Sequence, residues 1–141
     1  MDSRRKVMRR EDGYTLMELL VVLAILGMLT AIATPFVIKY LDDAKIRTAK
    51  TEIANISAGL DLYKIDVGRY PTTQEGLDAL VKQPTGEDKW NGPYIKKSSA
   101  IDDPWGHPYF YKSPGDHGDF DLYSFGAKGE GDGGKPDIAN W

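Results

Sequence analysis

Residues 16–38 read LMELLVVLAILGMLTAIATPFVI, and the reading of this stretch decides the fold. It holds 23 residues and one charge, Glu18. As a helix it would be about 35 Å long, enough to cross a hydrocarbon core of roughly 30 Å. Before it stands a short leader with Arg4, Arg5, Lys6, Arg9 and Arg10. Positive residues favour the cytoplasmic side, so the leader stays inside and the rest of the chain is sent outward. An ordinary secretory signal peptide is the bland alternative, because Ala31-Ile32-Ala33 offers a small-x-small cleavage site. The run is too long for that, contains Glu18, and continues past Ala33 as Thr34-Pro35-Phe36-Val37-Ile38.

The helical period carries on beyond Lys39 but turns amphipathic. Ile46, Ala49, Ile53, Ile56, Leu60, Tyr63 and Val67 recur at spacings of three and four. Lys45, Arg47, Lys50, Glu52, Asp61 and Lys64 fill much of the other face. The stripe is broadened by Ala54, Ala58, Leu62 and Ile65, which suits the core of the chain's own domain better than a coiled-coil seam. The helix is expected to end near Gly68, with Tyr70-Pro71 as breakers. From Thr15 to Asp66 it would measure roughly 78 Å.

Past this helix, Thr72 to Val81 reads as a short second helix with a Thr72/Glu75 capping box and an apolar face of Leu77, Leu80 and Val81. The remainder is rich in Gly, Pro and aromatic residues, with short strands expected at Tyr109–Lys112, Phe120–Phe125 and Ile138–Trp141. Three short strands need something to pack on, and the amphipathic stripe supplies it. The expected fold class is α+β: a long N-terminal helix, membrane-spanning in its first half and amphipathic in its second. It packs on a small C-terminal domain with a short helix and a small antiparallel sheet. The expected divisions are a leader at 1–13, a membrane or filament-core helix at 14–38, and a globular domain at 39–141.

The formal net charge is -3, and it is unevenly spread. Outside the leader, thirteen basic side chains face eighteen acidic ones, which excludes a basic nucleic-acid surface. There is no cysteine, hence no disulfide and no thiol chemistry. Gly129 to Gly134-Lys135 imitates a phosphate loop, but Pro136 stands where Ser or Thr is required, so no nucleotide site is expected. His107 and His117 fall in no metal-ligand spacing, and no Ser/His/Asp grouping emerges. No enzyme is expected.

An ionised carboxylate within a bilayer costs several kcal/mol unless it is paired. Glu18 is either close enough to the interface to stay wet or awaits a positive partner, and an amino group freed by cleavage after Gly13 would be one. Gly13-Tyr14-Thr15-Leu16-Met17-Glu18 followed by a long apolar run resembles the processing site of type IV pilins and pseudopilins. The resemblance implies cleavage between Gly13 and Tyr14 by a membrane prepilin peptidase, methylation of the new Tyr14 N-terminus, and a role for Glu18 in methylation and subunit docking. Tyr14 departs from the phenylalanine usual there. The resemblance also implies that the helix can unwind between Gly27 and Pro35 during assembly.

The body narrows the family. Four segments in order look like the major pseudopilins of type II secretion: Gly68-Arg69-Tyr70-Pro71-Thr72-Thr73-Gln74-Glu75-Gly76-Leu77, Trp90-Asn91-Gly92-Pro93-Tyr94, Asp103-Pro104-Trp105-Gly106-His107-Pro108-Tyr109 and Ser113-Pro114-Gly115-Asp116-His117-Gly118. That likeness implies a structural subunit that polymerises into a periplasmic helical filament and helps export folded proteins across the outer membrane. Its implied partners are other copies of itself, the prepilin peptidase, minor pseudopilins and an inner-membrane assembly platform. It implies a single-pass protein of a bacterial inner membrane, its N-terminus cytoplasmic and its body periplasmic. The rival readings are a type IV pilin or minor pseudopilin, and a membrane-anchored binding module or enzyme.

The family also binds calcium in its last loop, here GAKGEGDGGKPDIANW from Gly126 to Trp141. Ca²⁺ takes six to eight oxygens from carboxylates and carbonyls. Carried over, the Phe125 carbonyl and the Asp137 carboxylate match ligand positions, and Asp132 or Glu130 is available to compensate for Lys128, which stands where the family has an aspartate. An ammonium only donates and cannot ligate a cation. The alternative to calcium is a salt bridge from Lys128 to Asp132 or Asp137.

Overall fold

The computed structural model describes residues 15–96 and 101–141. Helix α1 runs Leu16–Val67 without interruption, through both Gly27 and Pro35. The chain divides into two compact units between Tyr40 and Leu41.

In the first unit the helix has the composition and length to cross a membrane, with mean hydropathy 2.5 over its most apolar window and none of that window buried. Leu16 is 83% exposed and Phe36 72%. Thr30 and Thr34 turn their hydroxyls back to the Leu26 and Thr30 carbonyls at 2.7 and 2.6 Å. Their polar groups are thereby satisfied within the helix, which is what an apolar surrounding demands.

The second unit is built on the outer part of α1. Ala49, Ile53, Ile56, Gly59, Leu60, Tyr63 and Val67 are buried. They pack with Leu77, Ala79, Leu80, Tyr109, Leu122 and Ile138 as one core. The expected stripe is therefore the core face, with Ile46 at its edge, 37% exposed. Leu62 and Ile65 lie outside it, 52% and 76% exposed. Gly59 sits on the stripe because the chain passes close there: a Cβ would stand 2.9 Å from Ile95 Cγ2 and 3.4 Å from the Tyr94 carbonyl. The helix stops at Val67, with the Gly68 N–H returned to the Lys64 carbonyl at 2.8 Å.

The expected second helix over Thr72–Val81 is narrower than its pattern. The capping box forms: the Thr72 N–H donates to Glu75 Oε2 at 2.8 Å, and the Glu75 N–H donates to Thr72 Oγ1 at 3.2 Å. It closes a single turn, because Gly76 takes φ +60 and breaks the helical path. Only a 3-10 helix, Leu77–Leu80, comes after it.

Three strands, β1 (Phe110–Lys112), β2 (Asp121–Ser124) and β3 (Ile138–Ala139), form an antiparallel sheet in the order β1-β2-β3. Phe110 faces Tyr123, Tyr111 faces Leu122, and Ser124 faces Ile138. Each strand is shorter than the sequence pattern, but all three lie within the expected segments. Leu122 and Ser124 point to the core and Tyr123 to the opposite face, as a two-residue period requires. On that outer face Phe110, Tyr123, Phe125 and Trp141 pack ring against ring, with centroids 5.1 to 5.7 Å apart.

Candidate functional site

The first candidate lies at the start of α1. Thr15 caps the helix, its Oγ1 accepting the Glu18 N–H at 3.3 Å and its carbonyl the Leu19 N–H at 3.2 Å. Glu18 thus occupies the first turn, where free N–H groups favour negative charge. Thr15-x-x-Glu18 has the same capping spacing as Thr72-x-x-Glu75, and that signal is as readable for the first pair as for the second. Gly13 and Tyr14 lie outside the described residues. Gly27 and Pro35 stand in the middle of the exposed apolar helix, with nothing within 4 Å of a Cβ placed on Gly27.

The second candidate is the loop from Phe125 to Asp137, which includes a 3-10 segment, Gly126–Asp132. Phe125, Lys128, Gly129, Gly134, Lys135 and Asp137 line a cleft of about 350 Å³. Two of the expected calcium positions, Phe125 and Asp137, therefore come together. The side chain of Asp132 lies outside the described residues. Among those described, Asp137 is the only carboxylate in the cleft, and it shares it with two ammonium groups. No group of three His, Cys, Asp or Glu among the described residues is placed to hold a metal. Among the described residues the cleft thus offers one carboxylate, where a calcium ion takes six to eight oxygens from carboxylates and carbonyls.

What secures the loop is a buried carboxylate that sequence reasoning missed. Asp103, 5% exposed, accepts the Trp105 and His107 N–H groups on Oδ1 at 3.1 and 2.9 Å. Its Oδ2 accepts the Ser124 hydroxyl at 2.6 Å, and Ser124 Oγ in turn accepts the Gly126 N–H at 3.0 Å. The Asp137 N–H then returns to the Ser124 carbonyl at 3.1 Å. The turn-forming Asp103-Pro104-Trp105-Gly106 was the available signal. Farther along, Asn140 ties both its ends to β2 and its approach: Leu122 N–H to Oδ1 at 2.8 Å, and Nδ2 to the Phe120 carbonyl at 3.2 Å.

The two histidines have structural surroundings. His107 packs on Gly129. His117 Nδ1 lies 3.0 Å from Asp121 Oδ2, and its ring stacks on Trp141 at 4.0 Å. Burial alone would push the Asp121 carboxyl up, but the hydrogen bonds from His117 and from the Asp116 and His117 N–H groups hold it below its usual range.

Acids on the flanks of α1 carry tyrosine hydroxyls. Tyr109 donates to Glu52 at 2.6 Å, Tyr70 to Asp61 at 2.8 Å and Tyr94 to Asp66 at 2.9 Å. Arg69 grips Glu75 with two nitrogens at 2.7 and 2.9 Å and reaches Glu87 at 3.1 Å. That guanidinium, with the Thr72 N–H, holds the Glu75 carboxyl at about 2 despite partial burial.

Comparison with known proteins places these features together. The family described as "Type II secretion system (T2SS), protein G" matches residues 36–141. The prokaryotic N-terminal methylation motif matches residues 8–34. The type II secretion system core protein G of Pseudomonas aeruginosa is 49% identical, over 94% of this chain and 96% of its own length. That of Vibrio cholerae is 43% identical, over 96% and 95%. The crystal structure of the major pseudopilin from the type 2 secretion system of enterohaemorrhagic Escherichia coli superposes with a TM-score of 0.61. It is 34% identical and covers 74% of this chain and 92% of its own.

Proposed function

The chain belongs to the type II secretion system protein G family, and on that premise we propose how it works. It is a structural subunit of the pseudopilus, the filament of type II secretion, and serves the export of folded proteins. It acts as a building block and not as a catalyst; the chemistry done on it belongs to the prepilin peptidase. The observation that carries this reading is an apolar helix surface from Leu16 to Ile38, wholly exposed, with one carboxylate in its first turn. Such a surface requires a surrounding without water. The bilayer supplies it before assembly, and the helices of other copies supply it afterwards.

In the bilayer the basic leader stays cytoplasmic and the body periplasmic. Cleavage between Gly13 and Tyr14 removes the leader's charge and leaves an amine at Tyr14, which is then methylated. Glu18 pairs with that amine on a neighbouring subunit, so a charge that is costly in hydrocarbon becomes a registration point between copies. Gly27 and Pro35 each weaken the helix, by backbone entropy and by a lost N–H, and mark where it can unwind as subunits pack. Minor pseudopilins and the inner-membrane platform complete the partner set, and the energy for extraction comes from an ATPase elsewhere.

Mass spectrometry of the N-terminal peptide from membrane-extracted protein tests this. A chain starting at Tyr14 and heavier by one methyl group is expected. A start at Met1 or Thr34 would overturn it.

A further inference from the structure

We infer that the loop from Phe125 to Asp137 closes without a divalent cation, and that Lys128 supplies the positive charge a metal would otherwise bring to Asp137. The first ground is the cleft's charge. Lys128 and Lys135 face it together with one described carboxylate, Asp137. Ammonium groups offer only donors, so neither can replace a lost oxygen ligand, and both repel an entering cation.

The second ground is that the work of a metal is already done by hydrogen bonds. A cation in such a loop holds the chain's entry to its exit. Here the entry is held by Gly126 N–H on Ser124 Oγ, itself fixed by buried Asp103. The exit is held by Asp137 N–H on the Ser124 carbonyl. Both ends therefore meet on one buried serine. The Asp137 carboxylate also lies over the entry: Oδ2 stands 2.7 Å from where a Cβ on Gly126 would be. Entry and exit therefore approach each other directly at Gly126. What the arrangement still needs is positive charge near Asp137, and Lys128 and Lys135 line the same cleft.

Metal-free closure concerns the body alone and stands whether or not the N-terminus is processed as proposed. The test uses the full chain in detergent, with intrinsic fluorescence as the readout, since Trp90, Trp105 and Trp141 all lie in the body. Thermal unfolding is followed in excess calcium chloride and in excess EGTA. A loop holding calcium a hundredfold above its Kd would raise the midpoint by about 10 °C or more in a body of this size. The expected result is one midpoint in both solutions, to within about 2 °C, and no calcium heat by isothermal titration. A larger drop in EGTA, or a saturable heat, overturns the inference. The Lys128→Asp variant is expected to gain what the parent lacks: calcium raises its midpoint and titrates with heat. Lys128→Asn adds an oxygen without a full charge and keeps the test open if the aspartate variant does not fold. If neither variant responds to calcium, the role assigned to Lys128 is wrong.

Discussion

Replacing Tyr109 by Phe removes one hydroxyl and nothing else, which makes it a clean probe of how the body is fastened to α1. Tyr109 is 6% exposed, and its hydroxyl donates to Glu52 Oε2 at 2.6 Å across 57 residues of sequence. Burial and the nearby Glu52 carboxylate both push its pKa up, so it remains a donor throughout the accessible pH range. A hydrogen bond to a charged group contributes about 1.5–3 kcal/mol. Glu52 is half-buried and regains water when the hydroxyl is removed, which places the loss at the lower end, about 1.5 kcal/mol. The ring's volume is unchanged, so no cavity term is added. For a body of this size the midpoint should fall by roughly 6–12 °C. Glu52→Gln keeps an acceptor and should lose less, under about 1 kcal/mol. The double variant should match Tyr109→Phe alone to within about 0.5 kcal/mol. Urea unfolding followed by tryptophan fluorescence gives all three values. A Tyr109→Phe variant within about 0.5 kcal/mol of the parent would refute the claim that this bond fastens the sheet segment to the helix.

Three further outcomes are expected. Gly59→Ala gains about 1 kcal/mol of helix propensity but forces a Cβ to 2.9 Å from Ile95 Cγ2; overpacking of about 2 kcal/mol wins, and denaturant titration should show a net loss near 1 kcal/mol. Acid should destabilise the body through Glu75: its folded pKa of about 2 lies below the ordinary value of 4.5, so its stabilisation is complete above pH 4.5 and lost as pH falls toward 2. Thermal melts across that window should show the decline, and Glu75→Gln should flatten it while starting lower. Glu18→Ala should leave membrane insertion intact and cut incorporation into filaments at least about tenfold, a loss of roughly 1.4 kcal/mol or more per subunit, read by cross-linking between copies in membranes and in sheared filaments.

Much of this fold was legible because α1 obeys its own period. Ala49 to Val67 at spacings of three and four are the buried residues, and Gly68 with Pro71 marks the end where the helix does end. Periodicity names a face but not what lies on it. Gly59 reads as a neutral helix position, yet the Tyr94–Ile95 segment passes over it. Glu52 and Asp61 read as acids of the solvated face, yet each takes a tyrosine hydroxyl from beyond the helix. Asp103 reads as a turn residue, and its burial beneath the last loop depends on a contact with Ser124, which no local pattern announces. The short second helix failed for a local reason that outweighed its pattern: Gly76 at positive φ ends the turn that the capping box begins. At the N-terminal site the helix start was legible from Thr15 and Glu18, which share the spacing of a capping box.

If this chain builds the filament through which a secretion machine exports folded proteins, its loss must stop that export. The decisive measurement is how much of a folded substrate reaches the medium from cells lacking the chain, with and without its return on a plasmid. The substrate should be retained in the periplasm without the chain and released when it is restored. Undiminished secretion in its absence, with loss of surface fibres instead, would contradict a role in secretion.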